Sequence, residues 1–157
     1  MLLFSLSIIA VFLHGIIAGT SFDVAFVKLP TRKRIGYLAY ATFARNNDLG
    51  NGIIVYPILG ITALAITFGT TIIALFIKHN TNIMTALYLA CVLTIAHSLC
   101  TLKAAPIMLS LKENKDDEHI LKQKLDRFAF WHSFRTVFQI ATFMTWLWAL
   151  VQIPKCN

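Results

Sequence analysis

The chain has 157 residues, 57% apolar and only 13% charged, with a mean hydropathy of +0.70. A soluble domain carries roughly 25% charged and 45–50% apolar residues, so a soluble globule, a disordered chain and a coiled coil are excluded and an integral membrane protein is expected. The balance of 14 Lys+Arg against 7 Asp+Glu gives a net +7. The cations sit between apolar runs, so the positive-inside rule accounts for them and no nucleic-acid partner is implied.

Four apolar runs follow in order. Residues 1–22, 53–77 and 83–102 contain no charge, and 128–154 contain one, Arg135. A helix needs about 20 residues to cross the hydrocarbon core, and helices are the default because lipid leaves backbone groups unsatisfied. The expected fold is all-α, a single transmembrane four-helix bundle with spans near 2–27, 53–77, 83–106 and 128–153. The first run lacks a basic start and stays apolar through Phe22, Val24 and Phe26, which fits a retained span better than a cleaved signal peptide. Gly15-Ile-Ile-Ala-Gly19 and Ala65-Ile-Thr-Phe-Gly69 are small-residue patterns that let helices approach.

The connections differ in kind. Residues 31–49 are half apolar, and Ile35, Leu38, Ala39, Thr42 and Phe43 recur at helical spacing, which predicts a short amphipathic helix on the inner surface. Residues 78–82 make a short hairpin, so spans two and three are antiparallel neighbours. Residues 113–118 form a polar turn, and helix four is expected to begin within 120–127, before lipid. The first connection carries Lys28, Arg32, Lys33, Arg34 and Arg45; the third carries Lys103, Lys112, Lys115, Lys122, Lys124 and Arg127. The other side has Lys78 and Lys155. Both long connections are therefore expected in the cytoplasm and both termini outside, in a bacterial inner membrane. Trp146 and Trp148 are then expected near the outer interface and Trp131 near the inner one. Cys91, Cys100 and Cys156 form no C-x-x-C, so neither a thiol redox centre nor a zinc site is expected, and no metal ligands are assigned.

Polar residues inside a membrane are costly and point to function. His132, Arg135, Thr136, Gln139 and Thr142 share one face of helix four. At 1.5 Å rise per residue, Arg135 lies ~10 Å and Gln139 ~16 Å below the inner surface. Thr94, His97, Ser98 and Thr101 share a face of helix three, with His97 ~13 Å deep. His14 lies ~20 Å from that surface, and Asp23 is placed to pair with Lys28 or to reach Arg135. At the entrance to span two, Arg45, Asp48 and Asn51 are spaced to face inward together, with Tyr56 beyond them. These groups predict a cavity in the cytoplasmic half. His132, Arg135 and His97 are the candidate catalytic groups. Asp48, Asn51, Tyr56, Trp131, Gln139 and Asp23 are the candidate substrate contacts.

The run Leu125-Asp-Arg-Phe-Ala-Phe-Trp-His132-Ser-Phe-Arg135, followed by an apolar helix, resembles the last span of the anthrone-oxygenase-like family of small four-span membrane proteins. Ala105-Pro106-Ile-Met108 is similar to that family's P-x-N segment, with Met108 in place of the Asn, and residues 22–30 resemble its Phe-to-Pro end of span one. The resemblance implies cofactor-independent oxygenation of a lipophilic aromatic or quinone-like substrate. His132 or His97 would take a proton and Arg135 would hold the resulting oxyanion.

Two other readings stand beside it. One is a haem b or quinone carrier using His14 and His97, whose ~7 Å difference in depth argues against a shared haem. The other is a non-catalytic binding or accessory protein whose polar face holds helices together. Expected partners are a lipophilic small molecule, membrane lipid and a second copy of the chain. No P-loop, H-E-x-x-H, G-x-S-x-G or Rossmann pattern is present.

Overall fold

A computed structural model describes residues 1–77, 81–112 and 117–153. Helix α1 (Leu2–Asp23) passes through a single π turn (Val24–Lys28) into α2 (Leu29–Ile35). Helices α3 (Tyr37–Asn47), α4 (Gly52–Ile77) and α5 (Thr81–Leu109) follow, α5 closing in a 3₁₀ turn (Ser110–Lys112), and α6 (Glu118–Gln152) completes the chain. No strand occurs among the described residues. Four helical runs are long and apolar enough to cross a membrane: Leu2–Ile35, Gly52–Ile77, Thr81–Lys112 and Glu118–Gln152. The four expected spans lie within them, save that the fourth ends one residue earlier, at Gln152, and the excess helix falls mostly at the basic end.

The helices start and stop for local reasons. Asp117 caps α6, its carboxylate accepting from the His119 and Ile120 amides at 2.9 and 3.3 Å. That cap starts the helix nearly three turns before its apolar stretch, ahead of the window expected from sequence. Gly36 breaks the path between α2 and α3 at φ +89°, a backbone region that a side chain strains. The π turn changes what faces what. Asp23 and Lys28 are five apart, a spacing that an α-helix at 3.6 residues per turn puts on different faces. The wider turn brings them to 3.0 Å, so Asp23 pairs with Lys28 and not with Arg135.

The bundle is ordered by a seven-residue rhythm. Buried positions step by three and four along α1 (Leu3, Ser7, Ala10, His14, Ile17, Ser21), as in left-handed helix packing. The same rhythm runs through α6 (Leu121, Leu125, Phe128, His132) and on to Gln139, Thr142, Trp146 and Ala149. Many of these inward positions are polar, while Phe12, Phe76, Val92, Leu102 and Val137 face outward. In lipid the outside need not be polar, so the apolar residues stay there and the polar ones turn in. Four inward hydroxyls close onto their own helix, Thr71 on the Thr67 carbonyl, Thr136 on His132, Thr142 on Phe138 and Thr145 on Ala141, all at 2.7–2.8 Å, while those of Ser7, Ser21, Thr70 and Thr94 have no partner. Imidazoles, an amide and a guanidinium cannot do this, which separates them from the structural threonines.

Several local expectations change. Trp146 is fully buried and stacks on His14, with ring centroids 6.3 Å apart, so it is a core residue and no interface anchor. Trp131 packs on the core cluster at the basic end. Of the small-residue sites, Gly15 meets Phe143 closely, a Cβ there lying 3.2 Å from the ring, whereas Gly19 and Gly69 face open space. Cys91 and Cys100 are buried free thiols, Cys91 lying 3.2 Å from the Thr71 hydroxyl. Cys156, the 113–116 part of the third connection and the 78–80 part of the hairpin lie outside the described residues.

Helix α3 is real but uses two faces. Tyr40, Ala41 and Ala44 pack onto the bundle, while Leu38 and Phe43 remain about half exposed; Ile35, also half exposed, ends α2 and is cut off from this face at Gly36. The outward apolar face suits a membrane surface. Tyr40 is buried, which pushes its phenol up to about 12, and its hydroxyl has no partner. Tyr40→Phe is thus expected to be neutral or to raise the melting midpoint in a detergent thermal melt, because it removes an unsatisfied buried hydroxyl. A lower midpoint would mean that the hydroxyl is in use.

Candidate functional site

The cavity that holds the polar residues exists because α4 is packed over only half its length. Its buried residues, Ala63, Thr67, Thr70, Thr71 and Ala74, all lie from Ala63 onward. The part of the first half before Ala63 contributes none, and Ile53, Ile54, Val55 and Ile58 are exposed. Pro57 sits in that half and removes the amide that the Ile53 carbonyl would take, which loosens the ladder. Between this part of α4 and α6 lies a cavity of about 470 Å³. Ile17 and Thr20 of α1 and Val24 of the π turn bound it on one side, and His97, Ser98 and Thr101 of α5 on the other. Residues at its α4–α5 edge, Ile61, Leu64, Leu102 and Leu109, are exposed apolar side chains, so it opens sideways there, toward lipid.

The inner wall is polar. His97, His132, Arg135 and Gln139 line it, with Tyr56 and Asp48 at the basic end. His132 is buried, and its Nε2 lies 3.2 Å from the Ser21 carbonyl, one turn before the π turn. A carbonyl only accepts, so Nε2 carries the proton in the neutral ring and Nδ1 is left as the acceptor. Phe128 stacks on that ring at 5.2 Å. His97 is 5% exposed and neither of its ring nitrogens has a partner. Gln139 Oε1 and Arg135 Nε are likewise buried without partners. Among the described residues no carboxylate forms an ion pair with Arg135; the two ion pairs are Lys28–Asp23 and Arg32–Asp126.

Deeper in, the site adjoins a closely packed layer. His14 is fully buried, its Nε2 is 2.9 Å from the Thr67 hydroxyl, and its ring meets His97 edge-on at 6.4 Å. The ring is thus held by Thr67 and by the Trp146 face together. Beyond it the bundle is closed by Leu3, Ile83, Leu87 and Ile153. Among the described residues no three His, Cys, Asp or Glu side chains are placed to hold a metal ion.

Six of the nine expected site residues come together: His97, His132, Arg135, Gln139, Tyr56 and Asp48. Three do not. Asp23 is held by Lys28, Trp131 belongs to the core behind the wall, and Asn51 is exposed outside the cavity. The proposed Arg45–Asp48–Asn51 face is divided, because Arg45 turns away to donate to the Leu111 carbonyl at 2.7 Å. The sequence reading missed Gly60 and Thr67. Tyr56, Gly60 and Leu64 form an i, i+4, i+8 row along the cavity, a spacing that was available to find Gly60.

Asp48 is half-buried at the mouth. Desolvation raises its carboxyl above the usual range, against the pull of the Lys28 charge, the Asn47 amide at 3.0 Å and the Arg135 charge. A carboxyl raised on folding destabilises the fold when ionised. The penalty is absent below about pH 4, grows as pH rises through the folded value and is complete above it. Asp48→Asn is therefore expected to raise the melting midpoint at neutral pH while leaving it unchanged in acid. An equal shift at both pH values would assign the effect to packing.

The chain matches no protein-family model, no curated protein and no solved structure. Fold and site together define a class: a small integral membrane protein, four apolar helices around a side-opening cavity with a cationic inner wall.

Proposed function

We propose that the cavity takes a lipophilic aromatic or quinone-like molecule from the membrane and promotes its oxygenation without a metal or organic cofactor. The observation that carries this reading is an unpaired Arg135 beside His97, whose two ring nitrogens are both free, in an apolar cavity open toward lipid. A guanidinium there is complementary to an oxyanion, and an imidazole without partners can accept a proton. His97 or His132 Nδ1 removes a proton from an acidic methylene conjugated to a phenol. Arg135 holds the charge on oxygen, and Gln139 and Tyr56 orient the ring. The carbanion reduces dioxygen, forming a C–O bond, and the imidazolium returns the proton to give a hydroperoxide. Loss of water leaves a carbonyl, so one methylene and one O₂ become one C=O and one H₂O. The resemblance of 125–135 to the anthrone-oxygenase-like family supports the same class of reaction.

A hydroxyanthrone added to the purified protein in air-saturated detergent tests this. Quinone absorbance and oxygen uptake are expected to exceed autoxidation, and His97→Gln combined with His132→Gln should lower the excess by about tenfold or more. Binding without turnover would make the chain a carrier or accessory protein, and no binding would reject the site. A Soret band in the purified sample would instead favour His14 and His97 as haem ligands. By the positive-inside rule the basic end faces the cytoplasm of a bacterial inner membrane with both termini outside. Reporters at Arg34 and at Asn114 should both read cytoplasmic; either one outside would reverse the orientation.

A further inference from the structure

A second concavity, about 420 Å³, lies at the basic end between the close of α5 and the start of α6. Pro106, Ile107 and Ile120 form its apolar walls, and Ser110, Gln123, Lys124 and Arg127 its polar ones. No acidic side chain among the described residues lines it. Asp126, next in sequence to Arg127, is turned to the other side of α6, where it accepts from Arg32 at 3.0 Å. The groove's two cations therefore go without a carboxylate from that neighbour.

Their placement is specific. Lys124 Nζ donates to the Ser110 carbonyl at 3.1 Å, which holds the ammonium at the wall with its other N–H groups free. Arg127 lies three residues on, on the same face of α6 and one turn nearer the apolar stretch that begins at Phe128. By the positive-inside rule that level falls in the headgroup region, with Pro106 and Ile107 on the lipid side of Ser110 and Ile120 on the far side of Lys124. A phosphate diester fits between an anchored ammonium and a guanidinium fork, and the methylenes attached to it fit against Pro106 and Ile107.

We propose that this groove binds one anionic phospholipid from the leaflet at the basic end, its phosphate held by Lys124 and Arg127. The site is independent of the cavity and of the reaction assigned to it.

The test is lipid retention by native mass spectrometry. Protein in neutral detergent is given equal phosphatidylglycerol and phosphatidylcholine. The wild-type chain is expected to retain phosphatidylglycerol about tenfold more, and Lys124→Gln with Arg127→Gln should bring the two lipids close to parity. Lys33→Gln with Arg34→Gln, which removes the same charge from exposed positions on α2, should leave the preference intact. Arg127 is exposed, so Arg127→Gln alone keeps the test readable should Lys124→Gln fail to fold. Loss of preference in the α2 control, or its survival in the groove variant, overturns the proposal. So does inorganic phosphate that displaces the lipid at low millimolar concentration, since the groove would then be a site for the free anion.

Discussion

Arg135→Lys is expected to insert and fold but to lose ligand binding or turnover by about tenfold or more, the equivalent of ~1.4 kcal/mol. The two side chains carry the same charge, and only arginine offers a planar fork to an oxyanion. An arginine at a helix centre costs ~2.5–3.5 kcal/mol on insertion scales. Such a cost is usually offset by a carboxylate or by backbone carbonyls, and among the described residues neither is in place: no ion pair reaches the guanidinium and its Nε has no acceptor. Arg135→Leu is therefore expected to abolish binding and to raise the melting midpoint, because it removes a buried charge with no partner to strand. Turnover is read by quinone absorbance, binding by tryptophan fluorescence and stability by a thermal melt, all on the same samples. Full activity in Arg135→Lys, or collapse of the fold in Arg135→Leu, would make the residue structural and remove the central group from the site.

Gly60→Trp should close the cavity. A Cβ at Gly60 meets nothing within 4 Å, and the residue lines the cavity on the loosely packed half of α4. An indole there has room to enter a volume of about 470 Å³ and displaces what would bind. The expected result is at least about tenfold weaker binding with an unchanged melt, since the side chain fills space instead of forcing a wall apart. Gly69 is the control: it faces open space as well but lies outside the cavity. Gly69→Trp should bind normally. Equal loss in both variants would point to a general disturbance of α4, and normal binding in Gly60→Trp would place the ligand elsewhere.

Much of this protein was legible in its sequence. Apolar runs of membrane-spanning length, three without a charge and one with Arg135 alone, determine four helices, because lipid penalises both charge and unpaired backbone. The stripe His132, Arg135, Gln139 on α6 and the pair His97, Ser98 on α5 were readable because helical periodicity assigns residues to faces without knowledge of neighbours. Periodicity gives a face but not what lies opposite it, and that is where the tertiary structure decided. Asp23 was equally placed for Lys28 or Arg135 until one π turn brought Lys28 to 3.0 Å. Trp146 looked like an interface residue until the packing set its ring on His14. Asn51 shares a polar turn with Asp48, yet only Asp48 reaches the cavity, since the chain reverses between them into α4. The cavity itself follows from a property no single helix carries: α4 is tight against the bundle from Ala63 onward and loose before it. Sequence fixes which residues lipid forces inward, while the space between them depends on how far apart the helix axes stand.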